Sequence, residues 1–209
     1  MTRWMKPGLW AVGALLSTMI ALYSYRYLWG GANRSPAILA NLYHRPWLYV
    51  HVAGACTALL VMPLQLVPAI RRRAPAVHRI LGRLYAVGCL SGGVGGMFMA
   101  FGSTAGPIAT AGFAPLAAVW IFTTVQGWRT AVLRRFDEHR AWMIRSFSLT
   151  FGAVTLRIYL PLLMMAGLSP LDAYLTTAFI SWIPNLLIAE LILRGAFRRP
   201  IHGQPYALQ

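Results

Sequence analysis

ILGRLYAVGCLSGGVGGMFMAFG, residues 80–102, carries a single charged residue, Arg83. A helix of about 20 apolar residues spans the roughly 30 Å hydrocarbon core of a bilayer, and a backbone in lipid has to satisfy its hydrogen bonds within its own helix. Working outward, comparable runs lie at about 8–29, 47–70, 108–131, 141–166 and 171–194. Composition agrees. Of 209 residues 58% are hydrophobic and 11% charged, and the mean hydropathy is +0.57, whereas about a quarter of a soluble domain is charged. The expected fold is all-α: one polytopic membrane helix bundle over 1–209 with six transmembrane helices in the lipid bilayer of the cell (inner) membrane.

The formal net charge of +15 is spread in a way that argues against nucleic acid as a partner. Arg3 and Lys6 precede the first run. Arg71, Arg72, Arg73 and Arg79 separate the second from the third, Arg129, Arg134, Arg135 and Arg140 the fourth from the fifth, and Arg194, Arg198 and Arg199 follow the sixth. The intervening loops are poor in charge, with Arg34 and Arg45 in the first, none in Gly102–Pro107 and Asp172 near the third. This alternation fits the positive-inside rule with both termini cytoplasmic.

The N-terminal run is too long for a signal peptide and ends in Tyr-Arg-Tyr-Leu-Trp instead of a small-x-small cleavage site, so it reads as a retained first helix. Cys56 and Cys89 fall on different spans and read as apolar packing residues, not a disulfide. Pro75 suits the first turn of the third helix. Asp137 reads as the N-cap of the fifth, and Ser169-Pro170 with Asp172 as a capping box opening the sixth. Gly102–Pro107 reads as a tight hairpin, and Gly30–Pro46 as an outer connection whose middle lies along the membrane as a short helix. The sequon Asn33-Arg34-Ser35 has no weight as a three-residue match. Trp10, Trp47 and Trp128 read as interface anchors.

Two segments repeat one idea. VHRILGRLY (77–85) and EHRAWMIRS (138–146) each place a histidine beside an arginine where an apolar run begins. A helix N-terminus and crowding arginines favour the neutral imidazole that a metal requires. Inward from His78 the helical face carries Gly82, Tyr85, Cys89, Gly93 and Gly96; from His139 it carries Met143, Ser146, Thr150, Ala153 and Arg157. Two imidazoles on one leaflet, a groove of small residues and Arg79, Arg83, Arg140 and Arg145 for propionates are the parts of a bis-histidine haem b site. The competing reading is snorkelling side chains and glycines that serve helix packing.

A second set lies toward the outer side. His44 and His51 are seven apart. The fourth helix has no histidine to face them, so at most one bis-histidine haem is expected, and a structural hydrogen-bond donor is the favoured role for His51. Arg157 lies deep in the fifth span, where arginine costs about 2.5–3.5 kcal/mol on insertion scales, and should face protein or water. Glu190 is expected to bond Arg194 along its helix, leaving Arg157 to carbonyls, Tyr159 or a bound anion. Gln65 and Asn185 read first as interhelical hydrogen-bonding residues. Cys-x-x-Cys-His, phosphate-loop and His-Glu-x-x-His patterns are lacking.

The phrases HVAGACTALLVMPLQLVPAIRRR, HRILGRLY, HRAWMIRSFSLTFGAVTLRIYLPL and IPNLLIAE, between about Trp47 and Glu190, resemble a family of multi-pass bacterial membrane proteins known only as a domain of unknown function. The layout is similar, more distantly, to haem b cytochromes of the transmembrane ascorbate-reductase and ferric-reductase type, in which histidines of alternating core helices pair across the bundle. That similarity implies the cytoplasmic ligand role for His78 and His139 only. The chain departs from it by lacking a histidine in the fourth helix.

Two functions are therefore expected to compete. One is a single haem b between the third and fifth helices, with Gly82, Gly93 and Gly96 making room for the macrocycle and electrons exchanged with a quinol or another redox partner. The other is a non-redox transporter or small-ligand binder with a pocket formed by His51, Gln65, Arg157, Tyr159 and Asn185.

Overall fold

The computed structural model describes residues 7–29 and 36–197. The basic residues Arg3, Lys6, Arg198 and Arg199, and Arg34 with its sequon at the start of the first connection, lie outside them. Proline opens most of the helices, because its missing N–H costs nothing in a first turn. The elements are α1 (Pro7–Tyr25) with a 3-10 turn Arg26–Trp29, α2 (Pro36–Leu39), α3 (His44–Gln65), α4 (Pro68–Arg73), α5 (Pro75–Phe101), α6 (Pro107–Val132), α7 (Phe136–Thr150), α8 (Gly152–Met165), α9 (Pro170–Ile180) and α10 (Ile183–Phe197). α7 with α8, and α9 with α10, each make one span, so six segments are long and apolar enough to cross a membrane.

Several boundaries differ from the sequence reading. The second span ends at Gln65, not near 70, because Pro68 biases the residue before it away from the helical region. Val67 is accordingly extended, with φ −79° and ψ 111°, and Arg71–Arg73 sit on the separate short α4. The third and fifth spans begin at Pro75 and Phe136, which draws both His-Arg segments into first turns. Asp137 is not the N-cap: Arg135 occupies that position, and Asp137 lies in the first turn, where a carboxylate meets the positive end of the helix. Ser169 does cap α9, its Oγ accepting from the Asp172 N–H at 3.1 Å and donating to Asp172 Oδ2 at 2.6 Å.

Small residues set the spacing of the bundle. α3 and α5 pack through Gly54, Gly88, Gly92 and Gly95; a Cβ on Gly92 would stand 2.7 Å from the Ala55 nitrogen, and one on Gly95 2.6 Å from the His51 nitrogen. Such close approach is how helices associate in lipid, where no hydrophobic force drives them together. α6 packs on α5, α7 on α6, α10 on α7, and α1 on α3. α1 is peripheral, with Leu9, Leu15, Met19 and Leu22 exposed in the positions expected of lipid contacts.

The fifth and sixth spans are both interrupted, at Phe151 and at Ser181–Trp182. The interruptions face each other. Thr155 Oγ1 donates to the Ser181 carbonyl, and Asn185 Nδ2 reaches the Ser148 carbonyl at 3.3 Å, Thr155 Oγ1 at 3.1 Å and the Ser181 carbonyl at 2.9 Å. Polar side chains thus take up the carbonyl freed by the break, as a span in lipid requires.

Candidate functional site

Where α1, α3 and α8 meet, the wall between them is incomplete and leaves a cavity of about 50 Å³. One water needs about 10–15 Å³ measured in this way, so the space suits a few waters or a small molecule and excludes a macrocycle. α1 contributes Ile20 and Ser24, α3 contributes His51, Cys56 and Leu59, and α8 contributes Ala153 and Arg157. Arg157 donates to the Ala153 carbonyl at 3.0 Å and to Ser24 Oγ at 2.9 Å. A guanidinium has five N–H donors, so much of its capacity is not spent on these two bonds. His51 Nδ1 lies 2.7 Å from the Gly92 carbonyl; a carbonyl only accepts, so Nδ1 carries the hydrogen.

The structure brings together two members of the expected pocket, His51 and Arg157, and separates the others. Gln65 Nε2 donates to the His78 carbonyl at 3.2 Å, tying the end of α3 to the start of α5. Asn185 is spent at the facing interruptions. Tyr159 does not line the cavity. Ser24 and Cys56 were not singled out as pocket residues by the sequence; a serine in YSYRY and a cysteine in an apolar run give no signal until α1 is seen beside α3. Cys56 and Cys89 are both free, as expected.

The haem residues sit at the opposite, arginine-rich end. His139 Nδ1 donates to the Gly127 carbonyl on α6 at 2.7 Å, which leaves Nε2 as its free nitrogen. His78 Nδ1 is buried with no hydrogen-bond partner. Arg79, Arg83 and Arg140 are exposed. Arg145 is not free for a propionate: its Nε and Nη2 grip Glu190 in a bidentate pair, the second bond at 3.0 Å. Glu190 is therefore held across the bundle, not by Arg194 along its own helix. Of the glycines expected to make room, Gly93 is backed by the Ile121 side chain and Gly96 by the His51 ring, 3.0 Å from where its Cβ would be; Gly82 has Gln65 Oε1 at 3.6 Å from that point. The small face thus receives neighbouring side chains.

The faces predicted to run inward from His78 and His139 do meet. Tyr85, fully buried, bonds Ser146 Oγ at 2.8 Å and Thr150 Oγ1 at 2.7 Å. Two residues of α6 join them: Thr124 Oγ1 lies 2.8 Å from Ser146 Oγ, and Trp120 Nε1 donates to Thr150 Oγ1 at 2.9 Å. A buried network in which each member has a partner fixes the relative rotation of α5, α6 and α7. Trp10, expected as an interface anchor, donates from Nε1 to the Pro63 carbonyl at 3.2 Å and pins α1 to α3.

No curated protein and no solved structure matches the chain. Residues 48–193, from the second span to the sixth, match a family described as a predicted membrane protein, DUF2306. That stretch holds the α3–α5 glycine contact, the Tyr85 network and both His-Arg segments, as well as His51 and Arg157. The chain is a member of the DUF2306 family of multi-pass membrane proteins, a family of unknown function.

Proposed function

We propose that this protein binds a small polar molecule inside the bilayer, at the cavity between α1, α3 and α8, as a transporter or membrane binding protein of the cell (inner) membrane with both termini cytoplasmic. The observation that carries the reading is a deeply placed guanidinium beside a void. An arginine at membrane depth is costly unless it faces protein groups or water, and Arg157 spends its described hydrogen bonds on one carbonyl and one hydroxyl.

The two cysteines supply the test, since Cys56 lines the cavity and Cys89 is buried away from it. In detergent-purified protein, a small methanethiosulfonate reagent is expected to modify Cys56 and spare Cys89, as read by mass spectrometry of peptides. Ala55→Leu, which fills the cavity, is expected to slow the modification at least tenfold. Equal protection of both thiols until the protein unfolds would mean a sealed void and would end the reading.

A second reading keeps one observation of its own. His139 is held through Nδ1 with Nε2 free, the way a ligating histidine is usually anchored through its other nitrogen, and His78 has a buried Nδ1 without a partner. His139 leaves Nε2 for an iron, whereas Gly93 and Gly96 give no room for a macrocycle. A haem b there would supply electron exchange with a quinol or another redox partner. Protein expressed with ample haem would then show reduced-minus-oxidised bands lost in His78→Ala or His139→Ala. A colourless preparation rejects it.

A further inference from the structure

We infer that the molecule bound at this cavity is a small monoanion that also carries a hydroxyl, of the class of a short hydroxycarboxylate or hydrogencarbonate; this rests on the cavity being a binding site at all. The anionic half follows from where the acids are. The chain has four aspartates and glutamates. Glu190 is paired with Arg145, Asp172 is engaged with the cap of α9, and Asp137 and Glu138 lie in the first turn of α7, the latter paired with Arg135. None lines the cavity. Guanidinium stays protonated in proteins, so the charge of Arg157 has no carboxylate to neutralise it, and an anion from outside the protein completes the site.

The hydroxyl follows from the histidine. The ring edge bearing Nδ1 and Cε1 lies against α5, with Nδ1 on the Gly92 carbonyl and both atoms about 3 Å from the Cβ position of Gly96. Nε2, which has no hydrogen-bond partner among the described residues, is assigned to the cavity that His51 lines. Because Nδ1 holds the hydrogen, Nε2 of the neutral ring is an acceptor. The cavity therefore presents donors from Arg157 and an acceptor from His51. A ligand that satisfies both has anionic oxygens and one O–H. At about 50 Å³ the space holds a molecule of a few heavy atoms and excludes a sugar acid.

The experiment titrates purified wild-type protein with sodium glycolate, hydrogencarbonate, acetate and gluconate at matched ionic strength, reading the unfolding midpoint from tryptophan fluorescence. A ligand that binds only the folded state raises the midpoint as its concentration passes Kd. Glycolate or hydrogencarbonate is expected to give a saturable rise, whichever responds identifying the source of the anion. Acetate, which lacks the hydroxyl, is expected to bind about tenfold more weakly, the worth of one buried hydrogen bond, and gluconate is expected to give no rise. His51→Phe should reduce glycolate to the level of acetate, and Arg157→Gln should abolish every response. Acetate equal to glycolate overturns the hydroxyl, as does a glycolate response unchanged by His51→Phe. No saturable response in the wild type, or one that survives Arg157→Gln, overturns the anion. The wild-type series decides the matter even if Arg157→Gln does not fold. Labelled Cys56 with no anion response would leave the binding reading standing and sink only this one.

Discussion

Gly92→Leu is expected to prevent stable assembly of the bundle, with the purified variant unfolding at least 15 °C below the wild type or failing to elute as a single species in detergent. The first added atom is already the difficulty. A Cβ at Gly92 would lie 2.7 Å from the Ala55 nitrogen and 3.2 Å from its Cα. These are backbone atoms and cannot turn aside as a side-chain tip would, so α3 and α5 must separate along their length. Overpacking by flexible side chains typically costs about 1–3 kcal/mol; parting two helices held together by glycines belongs at or above the top of that range. Gly195→Ala is the control. Nothing lies within 4 Å of the Cβ position there, and alanine in a helix is worth up to about 1 kcal/mol over glycine, so its midpoint should hold or rise. A Gly92→Leu variant as stable as Gly195→Ala would show that the α3–α5 contact does not hold the bundle.

Removing the carboxylate from Glu190 is the second large effect. Glu190→Ala leaves Arg145 on α7 charged and without its bidentate partner on α10. Breaking a fully buried pair costs about 3–5 kcal/mol. Here the side chains retain 23% and 32% of their exposure, so the expected loss is nearer 2 kcal/mol, read from the thermal midpoint in detergent. The double variant Arg145→Leu with Glu190→Leu should regain most of it, because replacing both charges by apolar groups removes the desolvation penalty along with the attraction. A single substitution that costs less than about 0.5 kcal/mol would place the pair among the weak, solvent-screened ones.

The architecture was readable because membrane spans announce themselves by length and lack of charge, which needs no knowledge of what packs on what. Its ends were less so. The extended Val67 before Pro68 is a local rule that was present in the letters, and it moved the end of the second span to Gln65. The site divides along a different line. Arg157 stands out in any reading because its charge is expensive at depth, and His51 because the first half of its span is otherwise apolar. Gln65, Asn185 and Arg157 carry the same signature on paper: a polar side chain in a greasy run. What separates them is whether a neighbouring helix offers a carbonyl or carboxylate in reach. Gln65 finds His78, Asn185 finds Ser148 and Ser181, and Arg157, among the described residues, finds only Ala153 and Ser24. That depends on how helices are rotated against one another, which periodicity alone leaves open. The Tyr85 network shows the same limit: Tyr85, Ser146 and Thr150 of the two inward faces do meet, yet Gly96 and Arg157 of those faces turn to α3 and α1, and the contribution of Thr124 and Trp120 from α6 was missed.

The facing interruptions of the fifth and sixth spans bear on how Arg157 is held. α8 and α9 are stitched to each other beside their breaks through Thr155 and Ser181, and the residues at the breaks, Phe151 and Ser181, keep right-handed helical dihedrals. That bond ties α8 to α9 at one level, as Arg145 and Glu190 tie α7 to α10 at another. Arg157 therefore belongs to the α8–α9 pair and Ser24 and His51 to α1 and α3, so the cavity lies at the seam between two separately braced groups of helices.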